Sequence, residues 1–278
     1  MAAPAFDREA VRAFEHTRWQ RAAAVYEGTF AGATRPFIEP LLDAAEVVRG
    51  TRLLDLACGP GFLASAAHGR AAVVRGLDFS SEMLAVARAR EPTIRFDEAD
   101  AEALPYPDAS FDAVAANFGV HHVPRPALVL REAYRVLCPR GRVAVSFWAD
   151  PRENLAWKLV LDAVTRHGDP AAAQTPAPGG GFGTAAQCDA ALATAGFQAC
   201  ATRLVRATWR HRDARQLVDA LAAGTARMAA VLEAQSPSAL AAIVREIDHQ
   251  AGDYRAEAGI DVPIAAFIAV GIRPSGPL

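Results

Sequence analysis

The stretch LLDLACGPGFLASAA, Leu53 to Ala67, constrains the fold more than any other part of the chain. An apolar run ends in an acid, passes into a loop of small residues and continues with helical spacing. That order describes a strand, a turn whose backbone a ligand can approach closely, and a helix whose N-terminus points at the ligand. Turns of this kind hold nucleotide-like cofactors. GPGFLA, Gly59 to Ala64, also fits the dinucleotide fingerprint G-x-G-x-x-G/A, so the glycines leave two cofactor classes open.

The segments around this turn set the fold class. RLLDLA, AVVRGLDF, TIRF, FDAVAAN and RVAVSFW are short apolar runs, separated by helically spaced segments such as SSEMLAVARAR and PALVLREAYRVL. Strand and helix alternate about five times, which predicts a doubly wound α/β fold with a parallel sheet. Before it, Phe14, Trp19, Ala22, Ala23 and Tyr26 recur at helical intervals, and a second short helix is expected over Pro36 to Val48. After it, Gly168 to Gly183 reads as a mobile connector rich in Pro, Gly and Ala. A helix over Ala185 to Ala195 and a strand over Phe197 to Thr208 come next. Two amphipathic helices follow, one with Val218, Leu221, Thr225, Met228 and Leu232 on a face, the other with Leu240, Ile243, Val244, Ile247, Ala251 and Tyr254. The last strand spans Val262 to Ile272.

Charge narrows the partners. Lys plus Arg number 29 against 31 for Asp plus Glu, with no basic block to track a phosphate backbone, so nucleic acid is not expected as a partner. The four cysteines are far apart and form no C-x-x-C pair, which suggests reduced thiols, no metal site and a cytoplasmic setting. The N-terminus does not read as a signal peptide, and Ile264 to Ile272 is too short for a membrane span, which needs about 20 apolar residues.

Charge also separates the two cofactors. A carboxylate at Asp55, beside the loop, would repel the pyrophosphate of a dinucleotide. S-adenosylmethionine carries a sulfonium and an ammonium and no phosphate, so Asp55 would attract it, by roughly 1 to 4 kcal/mol depending on local dielectric. Asp78, about twenty residues past the loop, suits the ribose hydroxyls of either cofactor. Asp100 follows the third strand.

DLACGPG, LDFSSEML, EADAEALPYPDASFDAV and NFGVHHVPRPALVLREAYRVLCPRGRVAVSFW, in that order, resemble the class I S-adenosylmethionine-dependent methyltransferases, in particular the small-molecule branch of ubiquinone-type and sarcosine-type enzymes. The resemblance is dense from Thr51 to Trp148, and FEHTRWQRAAAVYEGTF looks like the leader helix of that group. It implies a Rossmann-like three-layer sandwich whose last strand is antiparallel, and a helical cap. The parts would be cap helices over 1–50, a core over 51–208, a helical lid over 209–261 and a final core strand over 262–278. It implies that Asp55, Ala57, Gly59, Pro60 and Gly61 surround the methionine moiety, Asp78 the ribose, and Phe79 and Met83 the adenine. Asp100 and the backbone of Ala101 would meet the adenine amino group, and Asn117 and Phe118 would face the methyl group. The family often has glycine where Ala57 stands; alanine fits there if its torsion is ordinary.

His121 and His122 lie where the acceptor would sit, and either imidazole is suited to take a proton near neutral pH. At least one is expected to be structural, as is the Cys58 thiol. Trp19 and Tyr26 are candidates to close over the cofactor or stack on the acceptor, and Met228 to wall the acceptor site. The expected activity is methyl transfer to a small hydrophobic acceptor. The rivals are an NAD(P)-dependent oxidoreductase and a cofactor-binding protein of the same fold that catalyses a cyclisation. The two C-terminal helices would serve as a lid or as a homodimer contact.

Overall fold

In the computed structural model, which describes residues 6–173, 175–176 and 182–276, the apolar runs assemble into one sheet. Strands β1 (Arg52–Leu56), β2 (Val73–Asp78), β3 (Arg95–Glu98), β4 (Phe111–Asn117) and β5 (Leu137–Trp148) are mutually parallel. With β6 (Gln198–His211), the two-residue β7 (Arg255–Ala256) and β8 (Gly259–Ile272), the order is β3-β2-β1-β4-β5-β8-β6, and β7 pairs with β8. β8 runs antiparallel between β5 and β6, as expected. Because β1 has β2 on one side and β4 on the other, the chain order reverses there. The crevice at such a switch point, outside the strands' carboxyl ends, is where open α/β sheets take ligands.

Alternation along the central strands builds the three layers. Leu53, Ala113, Ala115, Ala144 and Ile268 join one core with Leu41 and Leu42 of α3 (Ile38–Ala44) and Leu63 and Ala67 of α4 (Phe62–Gly69). Their neighbours Leu54, Val114, Ala116, Val143, Val145 and Ala269 join the other, under Val129 and Leu130 of α6 (Pro126–Val136) and Leu192 of α8 (Ala185–Thr194). Both faces are thus covered, so these strands read as unbroken apolar runs. Burying each Leu or Val contributes about 1.5–3 kcal/mol relative to exposure. Helix α5 (Ser81–Arg90) is started by Ser80, whose hydroxyl accepts from Met83 N–H at 3.2 Å.

Ahead of the sheet, α1 (Arg8–Ala22) is capped by Asp7, and the short α2 (Ala31–Thr34) precedes α3. α1 stops at Ala22, so Tyr26 sits in the turn beyond it and not on the helix with Trp19. β6 extends past Thr208: Trp209, Arg210 and His211 pair with Val262, Asp261 and Ile260. The helical insertion therefore begins at α9 (Ala214–Gly224) and continues with α10 (Arg227–Glu233) and α11 (Pro237–Gln250). The single amphipathic helix expected from Val218 to Leu232 is broken at Thr225, whose backbone is extended. Gly224 ends α9 where a Cβ would lie 2.5 Å from that of Phe30, so the chain must turn against this packing. α11 packs on α7 (Leu155–His167). Of the connector Gly168 to Gly183, residues 174 and 177–181 lie outside the described ones. Asp169 N–H donates to Gln235 Oε1 at 2.8 Å and Pro176 O accepts from Arg227 at 2.6 Å. Among the described residues no helix is long and apolar enough to cross a membrane.

Candidate active site

At the carboxyl end of β1, Asp55 is 1% exposed and accepts from Ala64 N–H of α4 at 2.8 Å. Asp78, ending β2, accepts from Gly59 N–H at 2.8 Å and from Ser80 N–H at 2.9 Å. The two acids thus tie the glycine loop to both strands, and among the described residues neither forms an ion pair. Burial pushes Asp55 up to about 8; the Ala64 N–H eases this and the charge of Asp78 adds to it. Asp78 is raised too, because burial outweighs its backbone donors. Burial likewise raises the Cys58 thiol, helped by both acids, and Cys58 packs with Leu84 and Phe96 as a core residue.

The raised Asp55 makes stability pH-dependent in a defined direction. The folded chain holds this proton more tightly than the unfolded one, so the contribution is complete below the unfolded value of about 4. It is lost as pH rises through about 8. Urea midpoints of the cofactor-free protein should fall between pH 5 and 8, and Asp55→Asn should flatten that slope.

The loop contradicts one expectation. Ala57 has φ +54°, in the left-handed region, so its torsion is not ordinary. This conformation costs an L-residue about 1–2 kcal/mol. The Ala57 methyl also fills the space over Gly119, where an added Cβ would lie 2.4 Å from it. Ala57→Gly should raise stability by about 0.5–1 kcal/mol, the strain relieved less the entropy of an unfolded glycine. Gly119→Ala should cost about 1–3 kcal/mol alone and much less beside Ala57→Gly. Denaturant midpoints of the four proteins measure this coupling. Gly61, at φ +81°, starts α4 where a Cβ would sit 3.1 Å from that of Ala87.

A cavity open to solvent lies over this loop. Of the expected cofactor residues, Asp55, Ala57, Gly59, Pro60, Asp78, Phe79, Met83, Asp100, Ala101, Asn117 and Phe118 line it. Gly61 does not; it shapes the loop from behind. Asp100 is already engaged: Oδ1 accepts from Glu102 N–H at 2.9 Å and Oδ2 pairs with Arg12 of α1. Sequence reading missed Arg12, since nothing in its local pattern marks a contact with a residue 88 positions away. Asn117 donates to Thr34 O at 3.1 Å and accepts from the Ser146 hydroxyl at 2.8 Å, and Ser146 accepts from Phe118 N–H at 2.9 Å. These bonds hold the β4 terminus, where Phe118 has φ +61°.

The other end of the cavity is aromatic. Phe118 stacks on Trp148 with centroids 3.9 Å apart, and Phe30, Tyr26 and Trp19 complete the wall. Burial pushes the Tyr26 hydroxyl up to about 12, partly opposed by its bond to Thr34. His122 lines the cavity and His121 does not, although the two rings pack together with centroids 4.1 Å apart; His121 Nδ1 is buried and without a hydrogen-bond partner among the described residues, and burial, with the charge of His122, holds the ring well below the usual imidazole value. Met228 fails as an acceptor wall. It is buried in the core with Leu217, Leu221 and Ile243, because α10 packs on α9 and no residue of the insertion lines the cavity. α1 covers the cavity, and α10 braces α1 through Arg18–Glu233 and Arg227–Glu15 ion pairs. Glu15, wholly buried beside His122, was missed as well. Its only signal was an acid four residues before Trp19 on the inward face of a helix.

Residues 54–145 match the family described as a methyltransferase domain. The demethylmenaquinone methyltransferase of Thermus thermophilus is 48% identical over 106 residues, 36% of this chain and 48% of that protein. That of Renibacterium salmoninarum is 40% identical over 120 residues, 43% of this chain and 51% of that one. The chain thus spans about half the length of the curated relatives it matches. The crystal structure of the YcgJ protein from Bacillus subtilis has the same fold, with a TM-score of 0.56, 19% identity, and coverage of 86% of this chain and 98% of that one.

Proposed function

We propose that this chain, whose residues 54–145 match a methyltransferase domain, binds S-adenosylmethionine in the cavity over β1 and transfers its methyl group to a small hydrophobic acceptor. The observation that carries the reading is the pair of buried acids at the glycine loop, neither of them in an ion pair among the described residues. Asp55 and Asp78 sit in a cavity whose far wall is aromatic. Burial disfavours the ionised form of both acids; a cationic ligand restores it, while a pyrophosphate would set further negative charge against them. This favours the methyl donor over a nicotinamide dinucleotide.

The residues fit that ligand. Asp55 and the loop from Ala57 to Gly61 would hold the amino-acid moiety, Asp78 the ribose hydroxyls, and Phe79, Met83, Asp100 and Ala101 the adenine. When bound, S-adenosylmethionine supplies a methyl carbon already activated by its cationic sulfur. The chain itself then contributes approach geometry and exclusion of water. Asn117 and Phe118 set the floor at the methyl end, and Trp19, Tyr26, Phe30 and Trp148 offer rings to a flat apolar acceptor. The named relatives act on demethylmenaquinone, so the acceptor class we infer is quinone-like. The insertion serves as a brace for α1.

Methyl-labelled S-adenosylmethionine offered with a reduced, demethylated naphthoquinone tests the proposal. Label should appear in the quinone with one S-adenosylhomocysteine per methyl transferred. A quinone rearranged with no S-adenosylhomocysteine formed would instead favour the cyclising alternative.

A further inference from the structure

Glu15 has no part in holding the cofactor, yet it is the most deeply buried acid of α1, with a fully enclosed side chain. Its surroundings come from three elements. Trp19 Nε1–H of the same helix donates to Oε2 at 3.0 Å, and His122 Nδ1, in the turn after β4, lies 3.0 Å from that same oxygen. Arg227 Nε of α10 lies 3.0 Å from Oε1, and its guanidinium also donates to Pro176 O. Burial alone would raise Glu15, but His122, Arg227 and Trp19 together outweigh it and hold the group below the usual carboxylate range. Glu15 is therefore ionised, and an ionised carboxylate only accepts hydrogen bonds.

The contact with His122 is a hydrogen bond only if Nδ1 carries a proton. In the neutral ring the lone pair then resides on Nε2. That atom makes no hydrogen bond among the described residues, is not sealed from solvent, and belongs to a ring lining the cavity beside Trp19, Tyr26 and Phe118. The Trp19 indole also packs edge-on against the imidazole, with centroids 4.9 Å apart, which limits its rotation.

We infer that Glu15 is a positioning residue that holds His122 as the Nδ1–H tautomer, leaving Nε2 as the base that takes the acceptor's proton. The inference rests on the methyl-transfer reading above. As the acceptor quinol's O–H bond breaks, the proton goes to Nε2 and the oxygen's electron pair moves into the ring, whose carbon pair forms the bond to the methyl carbon; the carbon–sulfur pair leaves with sulfur, and transfer of that ring carbon's proton to the oxygen restores the quinol. The resulting imidazolium faces the Glu15 carboxylate, and its proton passes to solvent before the next turnover. The logic parallels the acid that orients a catalytic histidine in serine hydrolases. It also gives the insertion a function at a distance, because Arg227 secures the carboxylate from behind.

Two-bond ¹H–¹⁵N correlation spectra of the cofactor-free full chain, labelled at histidine, read the tautomer directly. Wild-type His122 should show a protonated Nδ1 and an unprotonated Nε2 once the ring is neutral. Removing Glu15 alone leaves the half-buried Arg227 without its carboxylate, so the test variant is Glu15→Leu with Arg227→Met, which removes both charges together. There His122 should revert to the mixture of an unconstrained imidazole. The variant's kcat should fall roughly tenfold or more, with its KM for S-adenosylmethionine within about threefold of wild type. An Nε2–H tautomer in the wild type, or an unchanged spectrum in the variant, overturns the inference. A wild-type chain that binds no S-adenosylmethionine overturns the reading beneath it, while the spectra still report on the Glu15–His122 pair.

Discussion

Asp78→Ala should weaken S-adenosylmethionine binding by about 100-fold or more, measured by calorimetric titration. A carboxylate accepting from two ribose hydroxyls provides hydrogen bonds of about 1.5–3 kcal/mol each, so losing both amounts to factors of roughly 10² to 10⁴. The loop would loosen as well, because Gly59 N–H and Ser80 N–H both donate to this side chain. Asp78→Asn keeps one acceptor oxygen for the loop, and its loss of affinity should be intermediate. The fold should survive both changes, since Asp78 is a desolvated acid whose pKa is raised by burial. Near-wild-type affinity in the alanine variant would remove Asp78 from the ribose contact.

His122→Ala should lower kcat by about 10² to 10⁴, the usual contribution of a positioned general base, with the affinity for S-adenosylmethionine little changed. The contrast with His121 sharpens this. His121→Ala removes a ring that packs on His122 but does not itself line the cavity, so its effect should fall mainly on stability, with a loss of turnover well below that of His122→Ala. Steady-state kinetics on the two variants, with titrations for the cofactor, separate the outcomes. Equal losses from both histidines would contradict the division that the structure makes between them.

The core of this fold was legible because it is written locally. Leu53 and Leu54 share one strand yet enter different cores, which explains an unbroken apolar run, and the acids Asp55 and Asp78 stand at the carboxyl ends of the strands on either side of the glycine loop. The antiparallel β8 and the order of the motifs came with the family resemblance. What escaped the reading depends on contacts distant in sequence. Arg12 meets Asp100 across 88 positions and Glu15 meets His122 across 107, and neither pair leaves a periodic mark. Met228 shows the opposite failure: its helical spacing was read correctly as an inward face, but the inside it faces is the packed core between α9 and α10 and not the cavity. Ala57 looked harmless because residue type alone does not reveal a positive φ.

The central claim is that the cavity over β1 holds a cationic methyl donor, and its most direct test is a titration of the cofactor-free chain with S-adenosylmethionine in buffers of different ionisation enthalpy. A bound cation favours the ionised form of Asp55, which burial otherwise raises to about 8, so binding near neutral pH should release a proton from it. The account predicts one site per chain, a buffer-dependent heat from that release, and loss of the dependence in Asp55→Asn. No heat with S-adenosylmethionine, together with saturable binding of NAD(P)H, would contradict it.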